Sequence, residues 1–456
     1  MKQPTLQREL WSSRGGFILA NIGSAVGLGS IWKFPYEVGS NGGAAFVLFY
    51  LLGLTLIVFP LMLVELSVGR RGSSDAVQSI AVVAAANRAR RGWAVAGAIG
   101  IIASFLILSF YSVIGGWAIE YFTEIIRHGL AGDRATVQSR YEDILASPMR
   151  MGLYHALFMA ITALIVARGV ATGIEAASKI IMPLLILLIV MLAIYSAIEG
   201  DLAATLRFFF ALDTDMITPR IVLEALGLGF FSIGVGLGVM ITYAAYAKAD
   251  VNLREVAIIT VISDTAISFL AGFAVFPIVF AERLDPSSGP GLIFVTLPLA
   301  FTGMPFGTWT AGAFFLLLAI AAVASAISML EMSVALTRRC FGWSRPTAAM
   351  VCASVCWVTG LASVLSFNVW SGWYPLAAFP GLATATLFHI LDHLTSNALL
   401  PLAGFLLAIF GGWVVPESVL MHELGVSRSW VSRLRFLLRF VAPIGIATAS
   451  IAPVVL

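Results

Sequence analysis

The sequence predicts an all-α protein that crosses a membrane eleven times, and three observations lead to this prediction. Of the 456 residues, 60% are hydrophobic and only 11% are charged, whereas soluble domains carry roughly 25% charged residues. Apolar runs also recur at about the 20 residues that a helix needs to cross a bilayer. This composition excludes an ordinary soluble protein, so we expect a polytopic membrane protein surrounded by lipid.

The apolar runs define eleven spans between charged or turn-rich breaks. They lie near residues 14–39, 43–69, 93–126, 149–168, 173–198, 220–247, 254–281, 308–338, 346–366, 389–414 and 431–455. With the N-terminus in the cytoplasm, 19 Lys and Arg residues fall on the cytoplasmic side and seven on the other. The positive-inside rule therefore predicts a cytoplasmic N-terminus and an extracytoplasmic C-terminus in the inner (cytoplasmic) membrane. The net charge of +3 is spread along the chain and does not indicate a nucleic-acid partner.

A short glycine-rich repeat links the first span to the sixth, because the sequence of residues 26–29 recurs at residues 235–238. Glycine costs about 1 kcal/mol per helical position relative to alanine, so both helices should be interrupted. Matching breaks in spans of opposite direction indicate two inverted halves, residues 11–198 and 220–414. Both halves belong to a single transporter domain of residues 1–456, and helix 431–455 follows them. Unwound backbone in a membrane must line a cavity or be buried in protein. There its carbonyls can bind a cation and its amides an anion. The alternative is that the glycines only allow close helix packing.

Five ionisable side chains fall at membrane depth, where charge is costly and usually faces the interior of the bundle. They are Lys33, Glu65, Asp264, Glu331 and Asp392. Asp264 is flanked by hydroxyl side chains, and such a cluster of hard oxygens suits a small cation; a structural partner for a neighbouring helix is the alternative. For Glu65 we favour a structural role. We find neither a nucleophile with a base nor a metal cluster at this depth, so we do not expect an enzyme.

The segments 11–35, 41–46 and 60–70 strongly resemble the neurotransmitter:sodium symporter family, in particular its bacterial amino acid:sodium symporters with eleven helices. The resemblance covers residues 10–415. It implies a five-plus-five inverted-repeat fold with broken helices 1 and 6, and sodium-driven import of an amino acid by alternating access. A proton-coupled or facilitative amino acid carrier, in which Asp264 titrates, stays open as the alternative. We expect a monomer or a weak dimer in the lipid bilayer.

The resemblance implies substrate contacts at eleven positions. They are Ala25, Gly27, Leu28, Ile107, Tyr111, Phe231, Ser232, Gly234, Leu237, Ala326 and Met329. The amides of Gly27 and Leu28 and the hydroxyl of Tyr111 should meet the substrate carboxylate, and carbonyls near residues 25, 231 and 232 should meet its amino group. The remaining wall is apolar and uncharged, which predicts a hydrophobic neutral amino acid. Leucine-like and aromatic side chains are equally compatible with it.

The resemblance also implies two sodium sites. The first comprises Ala25, Ser30, Ser232 and Asp264, and the second comprises Gly23, Val26, Ala321 and Ser325. Ser30 is shorter than the Asn that is usual in the first site, and Ala324 supplies no oxygen to the second, so we expect one or two sodium ions. Chloride-dependent relatives hold the anion near the position of Asp264. Since a carboxylate can replace that anion, we expect no chloride requirement.

Two gates are implied in the same way. They are Lys33 and Asp392 on the outer side, and Arg8, Trp11 and Tyr246 on the inner side. Asp392 is the candidate partner of Lys33 because the usual acidic position is Thr395, one turn later. The acid usual at the end of helix 8 is Arg339, so the sequence does not identify a partner for Arg8.

Overall fold

The fold is a bundle of helices, several of which are long enough to cross a bilayer. The computed structural model describes residues 9–130, 133–284, 292–379 and 381–455, and all regular secondary structure in these ranges is helical. Within these ranges, eight continuous helices and one bent pair are long and apolar enough to span a membrane. A second broken helix and a C-terminal helix correspond to the two remaining predicted spans. The prediction of an all-α fold with about eleven spans is therefore confirmed.

The spanning helices are numbered here in chain order, with broken helices given as two halves. They are α1a (Arg14–Ala25), α1b (Gly29–Ser40), α2 (Ala44–Gly72), α3 (Arg91–His128), α4 (Pro148–Ala167), α5 (Val170–Glu199), α6a (Pro219–Ile233), α6b (Val239–Ala245), α7 (Leu253–Ala281), α8 (Gly307–Phe341), α9 (Arg345–Ser366), α10 (Leu387–Val414) and α11, which joins Arg428–Phe436, Leu437–Val441 and Ala442–Val455. Shorter connecting helices are Ala76–Ala86, Arg134–Ala146, Leu202–Phe210, Ile293–Thr302 and Glu417–Leu424.

Helices α1 and α6 are interrupted where the glycine-rich repeat predicts. The axes of α1a and α1b differ by 51°, and Val26, which ends α1a, has an extended backbone. In α6 the break contains Gly234, Gly236 and Gly238, whose φ angles are +69°, +96° and +82°. Side chains rarely tolerate this left-handed region, which glycine adopts without a steric penalty. The glycines of α6 are therefore required by the backbone path itself.

The two broken helices lie inside the bundle. α1a packs against α5, α7 and α8, α6b packs against α2, and the long helices α3 and α8 pack along each other. Large apolar side chains on the outside of α4 and α5 remain exposed, among them Leu153 (66%), Ile180 (70%) and Met191 (57%). Such a surface is stable only in lipid, and the unwound backbone of α1 and α6 is shielded from it by the surrounding helices.

Candidate substrate and ion site

The breaks of α1 and α6 enclose a small central cavity of about 50 Å³, which α3, α8 and α10 complete. Ten of the eleven predicted substrate residues line it. They are Ala25, Gly27, Leu28, Ile107, Tyr111, Phe231, Ser232, Gly234, Leu237 and Met329. The eleventh, Ala326, is fully buried and does not line the cavity. Seven lining residues were not among the predicted substrate contacts: Ser24, Gly29, Ile233, Val239, Ser325, Ser328 and Leu400.

One end of the cavity carries hydrogen-bond donors from the break of α1. The amide of Leu28 donates a hydrogen bond to the hydroxyl oxygen of Tyr111, at 3.2 Å. Gly27 leaves space for this arrangement, because a Cβ atom there would lie 2.8 Å from the Tyr111 hydroxyl and even closer to Ser325 Oγ. Amides at a helix break together with a hydroxyl form a receptor suited to a carboxylate.

The rest of the cavity wall is apolar. Ile107, Leu237 and Met329 contribute aliphatic and thioether groups, and Phe231 contributes a ring. No described residue that lines the cavity carries a charge. An acidic or basic side chain placed here would lose its hydration without gaining an ion pair, which is costly. The wall therefore favours a neutral, hydrophobic side chain.

A cluster of buried oxygens adjoins the cavity around Asp264. Ser30 Oγ donates to Asp264 Oδ1 at 2.5 Å, and Ser232 Oγ donates to Asp264 Oδ2 at 3.0 Å. The two serine hydroxyls are 3.3 Å apart, and the Tyr50 hydroxyl lies 3.5 Å from Asp264 Oδ2. The short side chain of Ser30 thus reaches the carboxylate. Carboxylate and hydroxyl oxygens at this spacing are hard ligands of the kind that small cations prefer.

A second convergence of oxygens lies between α1a and α8. Ser325 Oγ is 3.4 Å from the carbonyl oxygens of Gly23 and Ser24 and 3.2 Å from that of Val26. A hydroxyl has one proton, so it can satisfy only one of these carbonyls at a time. Ala321 is fully buried on the same helix. The arrangement suits a cation that binds carbonyl oxygens.

A much larger cavity, of about 750 Å³, lies beyond the central one on the face opposite residues 9–13. Phe231 and Leu400 line both cavities and therefore separate them. Lys33 Nζ lies 4.3 Å from the centre of the Phe231 ring, in cation–π geometry. Asp392 Oδ1 instead accepts a hydrogen bond from Ser396 Oγ at 3.1 Å, and the described residues contain no Lys33–Asp392 ion pair. The structure therefore brings Lys33 to the Phe231 ring and not to its predicted partner.

The opposite face, where residues 9–13 lie, is closed and is called here the N-terminal face. Trp11 is 2% exposed. Its indole Nε1 donates to the carbonyl oxygen of Tyr243 at 2.9 Å, and its amide donates to that of Tyr246 at 3.1 Å. The Tyr246 hydroxyl donates to Glu331 Oε1 at 2.8 Å. Arg8, the remaining predicted residue of this gate, lies outside the described residues.

The same face carries ion pairs that the sequence did not predict. The two carboxylate oxygens of Glu9 lie 2.6 Å from Arg338 Nη1 and 2.6 Å from Arg345 Nη1. Arg345 also forms an ion pair with the buried Glu331. Arg339, which stands where relatives carry an acid, forms an ion pair with Asp75. In the described residues, the acidic side chain of the N-terminal segment therefore bridges basic side chains at the ends of α8 and α9.

Glu65 has the structural role favoured by the sequence. Its side chain is fully buried, and Oε1 accepts a hydrogen bond of 2.6 Å from the amide of Gly236 in the break of α6. A backbone amide released from a helix needs a partner inside a membrane protein. Glu65 supplies it from α2.

A bundle with two broken helices, a cavity at the breaks and oxygen clusters beside it defines a membrane transporter with a binding site near its centre. Comparison with known proteins agrees. Residues 8–146 and 144–399 match the model of the Sodium:neurotransmitter symporter family, and the chain belongs to this family of sodium-dependent symporters, which are not enzymes.

Similar proteins span nearly the whole chain. The "Uncharacterized sodium-dependent transporter YhdH" of Bacillus subtilis (strain 168) is 35% identical over 441 residues, which are 96% of this chain and 95% of the relative. An "Uncharacterized sodium-dependent transporter" of Haemophilus influenzae is 30% identical over 449 residues, 96% of each chain. The crystal structure of MhsT in complex with L-phenylalanine superimposes with a TM-score of 0.89 at 41% identity, covering 98% of this chain and 100% of MhsT. The family and the fold implied by the sequence are confirmed.

Proposed function

We propose that the protein is a sodium-coupled symporter that imports a hydrophobic neutral amino acid by alternating access. The observation that carries this proposal is the apolar central cavity, which has the Leu28 amide and the Tyr111 hydroxyl at one end and the Asp264 oxygen cluster beside it. The similar structure of MhsT holds L-phenylalanine, which supports a side chain of aromatic size. A leucine-like side chain fits the same chemistry.

Within this proposal each part of the substrate meets a different group. The carboxylate binds the amides of Gly27 and Leu28 and the hydroxyl of Tyr111. The amino group binds carbonyl oxygens at residues 25, 231 and 232. The side chain packs against Ile107, Leu237 and Met329, with Gly234 leaving space beside Leu237 and with Ala326 behind the wall.

Sodium ions couple to the substrate through shared oxygens. The first ion binds the Ala25 carbonyl, Ser30, Ser232, Asp264 and the substrate carboxylate, so ion and amino acid stabilise each other. The second binds the carbonyls of Gly23, Val26 and Ala321 and the hydroxyl of Ser325. Since Ala324 provides no ligand there, the second site is the weaker one, and the stoichiometry is one or two ions.

Chloride is not required in this proposal. The Asp264 carboxylate lies within 3.5 Å of the Tyr50 hydroxyl and supplies a fixed negative charge to balance the first cation. A mobile anion is then unnecessary. Uptake in chloride and in gluconate at equal sodium concentration tests this point: equal rates support the proposal, and a loss of uptake in gluconate contradicts it.

The gates and the orientation follow from the two faces of the bundle. We assign the closed N-terminal face to the cytoplasm and the 750 Å³ cavity to the outside of the inner membrane, in line with the distribution of Lys and Arg. Phe231 is the outer lid, and Lys33 lies against its ring. When this lid moves, Lys33 forms an ion pair with Asp392 instead. Arg8, Trp11 and Tyr246 belong to the inner gate. We propose a monomer or a weak dimer.

Uptake into proteoliposomes tests the proposed function. Radiolabelled leucine and phenylalanine are supplied with an inward sodium gradient, with equal potassium instead, or with a pH gradient and no sodium. We expect accumulation above equilibrium only with the sodium gradient. Accumulation driven by the pH gradient alone would contradict sodium coupling and indicate a proton-coupled carrier in which Asp264 titrates. Uptake that only reaches equilibrium under all conditions would indicate a facilitator.

A further inference from the structure

A buried carboxylate on α5 holds the start of α1a in place. Glu175 is the sixth residue of α5, and its side chain is fully buried. It accepts hydrogen bonds from the amide of Ser12 at 2.6 Å, from Ser12 Oγ at 2.6 Å and from Ser13 Oγ at 2.7 Å. Lys179 Nζ lies 2.7 Å from the same carboxylate. Glu175 thus accepts three hydrogen bonds from the residues that precede α1a.

The carboxylate also lies against the first turn of α1a itself. Ser13 is the N-cap of this helix and accepts a hydrogen bond from the amide of Gly16 at 3.1 Å. A Cβ atom on Gly16 would overlap the Glu175 carboxyl group, so glycine at this position admits the acid. A negative charge at a helix N-terminus is favourable because the unpaired amides there carry partial positive charge. The position of Glu175 is therefore explained by α1a and not by Lys179 alone.

The same two helices touch again at the other end of α1a. Met182, two turns further along α5, comes so close to Gly23 that a Cβ there would lie 3.1 Å from its sulfur. The carbonyl of Gly23 is one of those that converge on Ser325. At the first turn of α5, the amide of Val170 donates to Glu9 Oε2 at 3.2 Å. Helix α5 therefore contacts the segment before α1a, its first turn and its last turn.

We infer that Glu175 is a positioning residue that keeps the N-terminal face closed, and that its carboxylate must leave the start of α1a before this face can open. This inference rests on the proposed alternating access. For transport, α5 then connects the second oxygen cluster to the inner gate. Met182 of α5 contacts Gly23 of that cluster, and Glu175 of α5 contacts the start of α1a at the gate. Removing the charge of Glu175 should release α1a without altering either cavity.

A cysteine introduced on the buried face of α1a reports its release. Ala20 is 2% exposed, so the thiol of an Ala20→Cys reporter should react slowly with a polar maleimide while α1a is docked. Cys340 is the exposed native cysteine among the three and is replaced by serine, whereas Cys352 and Cys356 are buried. The purified reporter protein is labelled in sodium without substrate. We expect Glu175→Gln to raise the labelling rate of the introduced thiol at least tenfold.

The matched control is a second acid that pairs with α1a. Glu255 forms an ion pair with Arg14 at the start of the same helix, but the two side chains are 40% and 53% exposed, and exposed pairs contribute little. Glu255→Gln should therefore change the labelling rate less than twofold. Equal rates for the parent and Glu175→Gln, or equal increases for both variants, would overturn the inference.

A second variant keeps the test valid if Glu175→Gln does not fold. The double variant Ser12→Ala, Ser13→Ala removes the two serine hydroxyls that donate hydrogen bonds to Glu175 and leaves Glu175 itself unchanged. We expect this double variant to raise labelling in the same direction, and Glu175→Gln to add little in its background, whereas additive effects or an unchanged rate would contradict the inference. Labelling requires neither uptake nor a gradient, so the inference and the sodium coupling of uptake can fail separately.

Discussion

Replacing Tyr111 with phenylalanine tests the carboxylate receptor most cleanly. The substitution removes a single oxygen and keeps the ring, so the wall of the cavity retains its shape. In the structure this oxygen accepts a hydrogen bond from Leu28 at 3.2 Å, and Tyr111 lines the cavity. A hydrogen bond to a charged group contributes about 1.5–3 kcal/mol, and each 1.4 kcal/mol corresponds to about tenfold in affinity. We therefore expect Tyr111→Phe to weaken substrate binding about 10- to 150-fold.

The assay is equilibrium binding of radiolabelled leucine and phenylalanine to purified protein in saturating sodium. Tyr121→Phe is the matched control, because Tyr121 is a buried tyrosine on the same helix whose hydroxyl donates to the carbonyl oxygen of Phe294 at 3.0 Å, away from the cavity. Its dissociation constant should stay within twofold of the parent. A Tyr111→Phe variant that binds as tightly as the parent would refute the assignment of this hydroxyl to the substrate carboxylate.

Three further substitutions test the ion sites and the side-chain pocket. Asp264→Asn removes the fixed charge, so half-maximal uptake should need at least about tenfold more sodium, and added chloride should raise the uptake of the variant but not of the parent. Ser325→Ala removes one ligand and should raise the sodium requirement about fivefold while KM for the amino acid at saturating sodium is unchanged; a changed KM alone would contradict this role. Gly234→Ser strains the left-handed backbone and places a Cβ atom 3.2 Å from Leu237 Cδ1, so both substrates should lose affinity in competition assays, phenylalanine several-fold more than leucine, and a greater loss for leucine would argue against a side-chain pocket here.

The breaks in α1 and α6 could be predicted because glycine destabilises helices by its chemistry alone, and a repeated glycine pattern marks both. The position of Ala326 could not be predicted as reliably. Ser325, Ser328 and Met329 lie three and four residues apart on one face of α8 and line the cavity. Residue 326 is rotated by about 100° from residue 325 in a helix of 3.6 residues per turn, which turns Ala326 away from the cavity.

Contacts between distant segments were missed for a different reason. Glu9 forms ion pairs with Arg338 and Arg345, which lie 329 and 336 positions later in the chain. No local spacing in the sequence indicates such pairs. The same holds for Lys33 and Asp392, which were paired only through the family resemblance. In the structure the Phe231 ring and Ser396 are the partners of these two side chains. The sequence therefore brought Trp11 and Tyr246 together correctly but did not identify the partners of Glu9, Lys33 and Asp392.

The central claim is that the sodium gradient determines the direction of amino acid transport. It is tested by loading proteoliposomes with radiolabelled leucine or phenylalanine at equal concentration on both sides, with pH and membrane potential clamped, and then imposing a sodium gradient in either direction. The account predicts net inward flux when sodium is higher outside, net outward flux when it is higher inside, and no net flux without a gradient. Net flux that is zero under both gradients would contradict sodium coupling.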